Sequence, residues 1–269
     1  TVHDIAPMDF PNPSTLHRLY YRTLTGLAIW RARRIICISQ STQARISHHF
    51  ARAKQKAVVV YYGRDEGFAP DPHSDKFAAI AAQVGIRAPY MLYVGSFMAR
   101  KNIANLVAAV RRLQAMRPDV QMVFVGAPSG KDDYRFEGLK APQVVFTGQM
   151  KDKAVLQALY SRAELLLFPS LYEGFGLPPL EAMACGCPVV TSTISSLPEV
   201  VGEAAVLVDP YNPEEIAAGA LKILESSTYR AELSEHCLRQ VQRFSWEKTA
   251  YATLAVYEQS LEQTRGKLV

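Results

Sequence analysis

From residue 90 onward, short apolar runs alternate with stretches whose apolar positions recur every three or four residues. The runs have the length and composition of buried strands, and the stretches have the period of amphipathic helices. Such alternation is typical of an α/β fold with a Rossmann-like, doubly wound parallel sheet covered on both faces. The predicted strands are 90–94, 121–125, 144–146, 165–168, 188–191 and 205–208, and the predicted helices are 103–116, 153–162, 177–184, 213–225 and 229–243.

The pattern of residues 1–70 predicts a smaller domain that is also built from strands and helices. A strand end lies at residues 2–5, and strands are expected at 34–38 and 57–62. Prolines and glycines between residues 63 and 89 indicate a connector. We therefore expect a first domain at 1–70, a second at 71–243 and a last helical segment at 244–269.

Two serines precede helical patterns in the first domain. Ser39 is suited to cap the helix that follows it, and so is Ser14. The helix after Ser14 carries an apolar stripe, with basic residues over much of the rest: Leu16, Leu19, Tyr20, Thr23, Leu24, Leu27 and Trp30 form the stripe. Two explanations stay open, packing against its own domain, which is the commoner reason for such a stripe, or contact with a bilayer surface.

A glycine loop lies between the strand at 165–168 and the helix at 177–184. Gly174 and Gly176 allow a ligand to approach the main chain closely, and the helix that follows directs the positive end of its dipole at the loop. Glu173 and Glu181 bracket this loop. The arrangement predicts an anion site with two carboxylates at its border.

A second loop follows the strand at 90–94 and combines Gly95 with two adjacent cations, Arg100 and Lys101. Ligands of such sheets bind at the carboxyl ends of strands, near the point where strand order reverses. Charge-assisted hydrogen bonds from two cations suit a diphosphate. The alternative is a helix that merely begins with two exposed cations, which oppose its dipole by roughly a few tenths of a kcal/mol.

Composition narrows the class of protein further. The chain has 269 residues and a net charge of +5, and no run of apolar residues is long enough for a membrane span. Its four cysteines form no Cys-x-x-Cys pair, so we expect reduced thiols and a cytoplasmic protein rather than a metal or redox site. No Asp or Glu occurs between Arg18 and Arg64. This basic segment indicates phosphates, nucleic acid or an anionic membrane as partners, or else a solvated surface.

The motifs after residue 90 resemble, in order and in spacing, the nucleotide-binding lobe of retaining GT-B glycosyltransferases (glycosyltransferase family 4-like, group 1). The resemblance rests on Tyr93–Gly95, Arg100–Asn102, Phe146–Gly148, Pro169–Ser170, Glu173–Pro178, Glu181–Met183, Gly186–Val190 and Leu197–Val200. It implies a GT-B fold whose second lobe is complete and whose first lobe is represented by its last part. It also implies that the C-terminal helix crosses back to the first lobe.

The resemblance assigns a role to each candidate site residue. Arg100 and Lys101 would bind the donor diphosphate and stabilise the leaving group, with Gly95 in the same loop. Glu173 would bind the sugar hydroxyls, together with backbone N–H groups of Gly174, Phe175, Gly176 and the start of the helix at Leu177. Glu181 would bind the ribose, and the base would lie near Gly148. His3, in the motif Thr1–Asp4, would contact the donor sugar near the reaction centre.

The implied reaction moves a hexose, with mannose favoured, from a nucleoside-diphosphate sugar to a hydroxyl acceptor with retention at the anomeric carbon. GDP-mannose is the favoured donor and UDP-glucose is close behind, while a saccharide or lipid-linked acceptor in polysaccharide, lipopolysaccharide or glycolipid assembly is expected. No metal or other cofactor is expected, and no Asp-x-Asp triplet is present. We expect peripheral contact with the inner face of the plasma membrane through the basic N-terminal segment, and no nucleic-acid partner.

Family members carry a longer segment before the position of His3. The chain is therefore a piece of a longer protein, a shortened enzyme or one half of a split enzyme. A non-catalytic nucleotide-sugar-binding lobe that requires a partner chain is the alternative function. Nucleotide-sugar epimerases and phosphorylases share the two-lobed fold and stay open as further classes.

Overall fold

The structure is a computed structural model that describes residues 1–10, 15–126, 136, 139 and 142–265. The chain forms two compact units. The first comprises Thr1–Gly63, Tyr172–Phe175 and the C-terminal part from Phe244, and the second comprises Arg64–Leu171 and Gly176–Arg243. The domain limits expected at residues 70 and 243 stay predictions.

Helices and strands alternate along most of the described chain. The elements in chain order are α1 Ala6–Asp9, α2 Thr15–Arg31, β1 Ile35–Cys37, α3 Gln40–His49, β2 Ala57–Val59, α4 Asp75–Val84, β3 Tyr90–Val94, α5 Ile103–Met116, β4 Gln121–Val125, β5 Val144–Gly148, α6 Lys153–Arg162, β6 Leu165–Phe168, α7 Leu177–Ala184, β7 Val189–Ser192, α8 Leu197–Val201, β8 Val206–Val208, α9 Pro213–Leu224, α10 Ser227–Gln240 and α11 Trp246–Arg265.

The second unit is built on a six-stranded sheet with the order β5-β4-β3-β6-β7-β8. All five strand pairs are parallel. The four central strands, β4, β3, β6 and β7, are buried almost throughout, as expected of a sheet with helices on both faces. This confirms the predicted fold class, a doubly wound parallel α/β sheet.

The first unit contains a two-stranded parallel sheet of β1 and β2, which Val2 extends by a single bridge to Cys37. On one side Ile29, Ile35 and Ile46 form a small core. On the other side Val256 of α11 packs with Ile36 and Val60. The C-terminal helix therefore packs within the first unit, although it lies far from that unit's other elements in sequence.

Several predictions for the first unit are corrected by its tertiary contacts. A strand end was expected at residues 2–5, but only Val2 forms a bridge, and α1 begins at Ala6, with Pro7 near its first position and the Asp4 carboxylate accepting from the Ala6 N–H at 3.0 Å. β2 ends at Val59, whereas the strand was expected to reach residue 62. Ser14 lies outside the described residues.

The predicted cap at Ser39 is confirmed, since its hydroxyl accepts from the Thr42 N–H at 3.0 Å. The commoner explanation for the apolar stripe of α2 is wrong, because Ile29 is the helix's one buried residue and the stripe is exposed. No helix within the described residues is both long enough and apolar enough to cross a membrane.

One main-chain contact in the second unit requires a glycine. A Cβ at Gly126 would lie 2.0 Å from the carbonyl oxygen of Gly95, and Gly126 has φ +149°. Gly85, which ends α4 with φ +81°, would place a Cβ in open space. An alanine at Gly85 would therefore incur only the cost of an unfavourable backbone conformation. An alanine at Gly126 would incur the cost of steric overlap as well.

We expect Gly126→Ala to lower the free energy of unfolding by about 3 kcal/mol or more, because strain and overlap each cost about 1–3 kcal/mol. Gly85→Ala should cost only about 1–2 kcal/mol, the penalty of a left-handed conformation. Urea denaturation of both variants measures the difference. Equal losses would show that the Gly95 loop shifts at little cost to admit the methyl group.

Candidate functional site

The strand order of the large sheet reverses between β3 and β6. β3 continues to β4 on one side, and β6 continues to β7 on the other, so the loops after β3 and β6 leave the sheet next to each other. Open α/β sheets bind ligands at this position. The loop after β3 contains Gly95, Arg100 and Lys101, and the loop after β6 leads into the glycine loop. Both sequence-predicted loops thus begin at the switch point.

Hydrogen bonds fix the loop after β3. Asn102, with φ +60°, donates from its side-chain amide to the carbonyl oxygens of Pro169 at 2.9 Å and Pro210 at 2.6 Å. The Leu171 N–H donates to the Arg100 carbonyl oxygen at 2.8 Å. These bonds join the loop after β3 to the loops after β6 and β8 and set where the two cations lie. Asn102 was part of the recognised motif, but its positioning role was not foreseen.

The two cations lie in a single 3₁₀ turn, Ala99–Lys101, immediately before α5. Lys101 is only 6% exposed, and its ammonium nitrogen lies 4.7 Å from the centre of the Phe168 ring. Arg100 is half-buried. The alternative of two exposed cations at a helix start is therefore wrong for Lys101. A buried ammonium group held over an aromatic ring is screened little by solvent.

The start of α7 offers fewer donors than a usual helix N-terminus. Gly176 precedes the helix with φ +116° and Leu177 is its first residue. Pro178 and Pro179 have no N–H, and the Leu180 N–H already donates to the Gly176 carbonyl oxygen at 3.2 Å. Anion binding here would therefore depend on the N–H groups at the glycine loop and Leu177, aided by the helix dipole.

Glu181 lies on α7 and is largely buried beside Tyr160 of α6. The Tyr160 hydroxyl donates to a carboxylate oxygen of Glu181 at 3.1 Å. Burial raises the pKa of Glu181, and the hydrogen bond from Tyr160 offsets only part of that rise. The pKa of the Tyr160 hydroxyl is raised well above its ordinary value, again chiefly by burial. The pair therefore presents a carboxylate with one fixed donor, an environment suited to accepting hydrogen bonds from hydroxyl groups.

His3 and Glu173 lie in the first unit. The ring Nδ1 of His3 is hydrogen-bonded to the Tyr62 hydroxyl. A Cβ at Gly174 would lie 2.2 Å from the His3 carbonyl oxygen, so the glycine allows two main-chain segments to touch. Glu173, the residue before Gly174, is buried. The structure thus places His3 against the segment that carries Glu173.

Sequence reasoning missed Tyr62, which it assigned to the end of a strand. The ring packs 5.5 Å from Phe175 and 5.4 Å from Trp246, centre to centre. Burial is the main cause that raises the pKa of its hydroxyl. A Cβ at the next residue, Gly63, would lie 2.1 Å from the main-chain nitrogen of Trp246. No local sequence pattern could reveal these contacts of Tyr62, because His3 and Trp246 are distant from it in sequence.

Phe175 contributes its ring to the same aromatic cluster and is buried. Its side chain is therefore used for packing, and only its main chain is suited to bind a ligand. Gly148 ends β5 with φ +71° and turns the chain toward Gln149.

A cavity of about 230 Å³ lies at the carboxyl ends of β3, β4 and β5. It is lined by Val94, Gly95, Ser96, Val125, Gly126, Gln149, Met150, Lys151 and Leu156. Main chain and apolar side chains form most of this lining, which suits a flat ligand. The residues that follow Gly148 line this cavity, so it lies where the base was predicted to bind.

The structure therefore groups the predicted residues by unit. Gly95, Arg100, Lys101, Gly148, Gly176, Leu177 and Glu181 belong to the second unit, and His3, Glu173, Gly174 and Phe175 belong to the first. Among the described residues, no group of three or more His, Cys, Asp or Glu side chains could hold a metal ion. The functional role of each residue stays a prediction.

Sheet order and switch point define an α/β protein with a doubly wound parallel sheet, the fold found in GT-B glycosyltransferases. Sucrose-phosphate synthase from Thermosynechococcus elongatus has the same fold, with a TM-score of 0.78 and 28% identity over 97% of this chain and 67% of that one. The family model for glycosyl transferases group 1 matches residues 78–240. The protein belongs to this glycosyltransferase family.

Two curated proteins are similar to this chain in sequence. The O-antigen chain mannosyltransferase B of Escherichia coli is 30% identical over 264 residues, which cover 96% of this chain and 69% of that protein. The serotype-specific mannosyltransferase WbdA of Escherichia coli is 31% identical over 243 residues, 87% of this chain but 30% of that protein. The chain thus spans about two thirds of the first relative and less than a third of the second.

The raised pKa of Glu181 predicts how stability depends on pH. The folded state holds the Glu181 proton more tightly than the unfolded state, whose pKa is near the ordinary 4.5. Stability is therefore lost as pH rises from that value through the raised folded pKa. We expect Glu181→Gln to remove this loss, so that the variant gains in melting temperature over the parent between pH 4.5 and neutrality.

Melting curves at matched ionic strength across that range check this expectation. Glu203→Gln, at an exposed glutamate of the same unit, is the control and should show no such gain. A difference between Glu181→Gln and the parent that is constant with pH would contradict the assignment.

Proposed function

We propose that the protein transfers a hexose, mannose by preference, from a nucleoside-diphosphate sugar to a hydroxyl group of a saccharide or lipid-linked acceptor, with retention at the anomeric carbon. The observation that carries the proposal is the loop after β3, which holds Arg100 and buried Lys101 at the sheet's switch point. The two mannosyltransferases among its relatives support the choice of sugar.

In this proposal, the second unit binds the nucleoside diphosphate. Arg100 and Lys101 bind the two phosphoryl groups, with the N-terminus of α7 adding positive potential. Gly95 takes part through its lack of a side chain, since its N–H already donates to the Val125 carbonyl oxygen at 2.9 Å. The Glu181 carboxylate accepts hydrogen bonds from the ribose hydroxyls, and the cavity that begins beyond Gly148 receives the base. GDP is the favoured nucleotide and UDP the alternative.

His3 and Glu173 act on the sugar. Glu173 accepts hydrogen bonds from sugar hydroxyls, and main-chain N–H groups of Gly174, Phe175, Gly176 and Leu177 donate to them. The contact of Gly174 with His3 and the bond of His3 to Tyr62 fix the orientation of the imidazole. A fixed imidazole favours one orientation of the sugar over others.

The chemical step breaks the bond from the anomeric carbon to the leaving phosphate oxygen and forms a bond to the acceptor oxygen on the same face. The departing diphosphate takes the proton of the acceptor hydroxyl. As this group gains negative charge, Arg100 and Lys101 stabilise it without moving. In this proposal the two side chains replace the metal ion that other transferases use.

Replacing Arg100 and Lys101 together with Ala should reduce donor turnover by roughly 10³-fold or more, because each charge-assisted hydrogen bond contributes about 1.5–3 kcal/mol. Turnover is measured as nucleotide released from GDP-mannose and UDP-glucose, and affinity for GDP and UDP by calorimetry. Both rate and affinity should fall, since the diphosphate is bound in the ground state as well.

Arg111→Ala with Arg112→Ala is the matched control. It removes the same two charges from exposed positions of α5, where the ion pair of Arg112 with Glu214 is solvated and contributes little. Normal affinity in the Arg100 and Lys101 variant would contradict the phosphate assignment. If the parent binds GDP-mannose but neither transfers nor hydrolyses it, the chain is a binding lobe rather than an enzyme.

A further inference from the structure

Tyr160 of α6 is a fully buried tyrosine whose hydroxyl reaches a carboxylate on the neighbouring helix. None of its surface is exposed, and its hydroxyl donates to Oε2 of Glu181 on α7 at 3.1 Å. Phenylalanine would fill nearly the same volume without a polar atom, whereas the hydroxyl of a buried tyrosine requires a partner. Packing alone therefore does not explain why the hydroxyl is placed here.

Neighbouring segments fix the position of this hydroxyl. The ring of Phe68 meets the Tyr160 ring edge-on, with 5.9 Å between the ring centres. Gln157, almost one turn earlier on α6, donates from its side-chain amide to the Ala69 carbonyl oxygen at 3.0 Å. Because the segment around Phe68 is bonded to α6 in this way, the Tyr160 ring is held between its own helix and that segment.

The bond from Tyr160 leaves one oxygen of the Glu181 carboxylate for a ligand. Among the residues that the structure describes, no other side chain or N–H group donates to this carboxylate. Glu181 keeps part of its surface exposed, so Oε1 can accept hydrogen bonds while Tyr160 holds Oε2. The same bond opposes the rise in pKa that burial causes, and it thereby favours the ionised carboxylate, which is the stronger acceptor.

We propose that Tyr160 is a positioning residue that makes the site select ribonucleotides over deoxyribonucleotides, by holding the Glu181 carboxylate where it accepts from the ribose hydroxyls. Tyr160 acts through Glu181 and does not touch the ligand. A carboxylate that is free to rotate loses conformational freedom when it binds, and this cost weakens its bonds to the hydroxyls. The inference rests on the proposed function, which assigns the ribose to Glu181, and adds the group that orients this carboxylate.

Tyr90 of β3 offers a matched comparison beside the same helix. It is also fully buried, and its hydroxyl donates to the carbonyl oxygen of Leu159, the residue before Tyr160, at 2.6 Å. Burial raises the pKa of both tyrosine hydroxyls well above the ordinary value. Tyr90→Phe and Tyr160→Phe thus remove the same atom from equally buried positions, but only the second change affects the Glu181 carboxylate.

The experiment is calorimetry of GDP and UDP binding, each compared with its 2′,3′-dideoxy form, which lacks both ribose hydroxyls. The parent should bind the ribonucleotide roughly tenfold or more tightly, because the dideoxy form has no hydroxyl to donate to the carboxylate. Tyr160→Phe should reduce this preference by roughly threefold to tenfold, through weaker binding of the ribonucleotide alone. Tyr90→Phe should keep the preference of the parent, and melting curves check that both variants are folded.

A double-mutant cycle tests whether Tyr160 acts through Glu181. In a Glu181→Ala background, Tyr160→Phe should not change the preference further, since no carboxylate is left to orient. An equal further loss in that background would overturn the proposal. Equal weakening of the ribonucleotide and its dideoxy form in Tyr160→Phe would do the same, because a tyrosine that only packs affects both ligands alike.

The parent protein separates this inference from the function on which it rests. If the parent binds nucleotide without preferring the ribonucleotide, the role of Tyr160 is overturned while the assignment of the diphosphate to Arg100 and Lys101 stands. If the parent binds neither GDP nor UDP, the proposed function fails, and the inference fails with it.

Discussion

The pairing of β3 with β6 is the constraint on which the second unit depends. Because the chain completes β3, β4 and β5 on one side before it returns to start β6 beside β3, two loops leave neighbouring strand ends in different directions. Asn102 then joins the loop after β3 to the loop after β6 through the carbonyl oxygen of Pro169, and to the loop after β8 through that of Pro210. The position of Arg100 and Lys101 follows from this connection, rather than from the local preference of a short turn.

Close main-chain contacts then set the dimensions of each candidate site. Gly126 meets the Gly95 carbonyl oxygen in one unit, and Gly174 meets the His3 carbonyl oxygen in the other. At both places a side chain of any size would separate segments that carry predicted ligand-binding residues. Glycine costs conformational entropy, so its presence at both contacts is explained by geometry rather than by local stability.

Much of the second unit could be predicted from sequence, because its elements are long, periodic and bounded by glycine or proline. Helices α5, α6 and α7 begin and end at the predicted residues, and so do β3, β4 and β6. Predictions failed where distant residues decide the outcome. The bond of Tyr62 to His3 and the packing of Tyr62 on Trp246 join segments with no common pattern. Periodicity also showed that α2 has an apolar stripe, but not whether anything covers it.

The chain carries positive charge in two physically different settings, one buried and one exposed. Lys101 is buried over Phe168, where solvent and salt screen its field little, and the proposed function assigns that field to the leaving group. The arginines of α2 are exposed, where salt screens them within about 8–10 Å. The first setting favours one small ligand in one orientation. The second setting fixes no geometry, and ionic strength therefore affects the two groups of charges unequally.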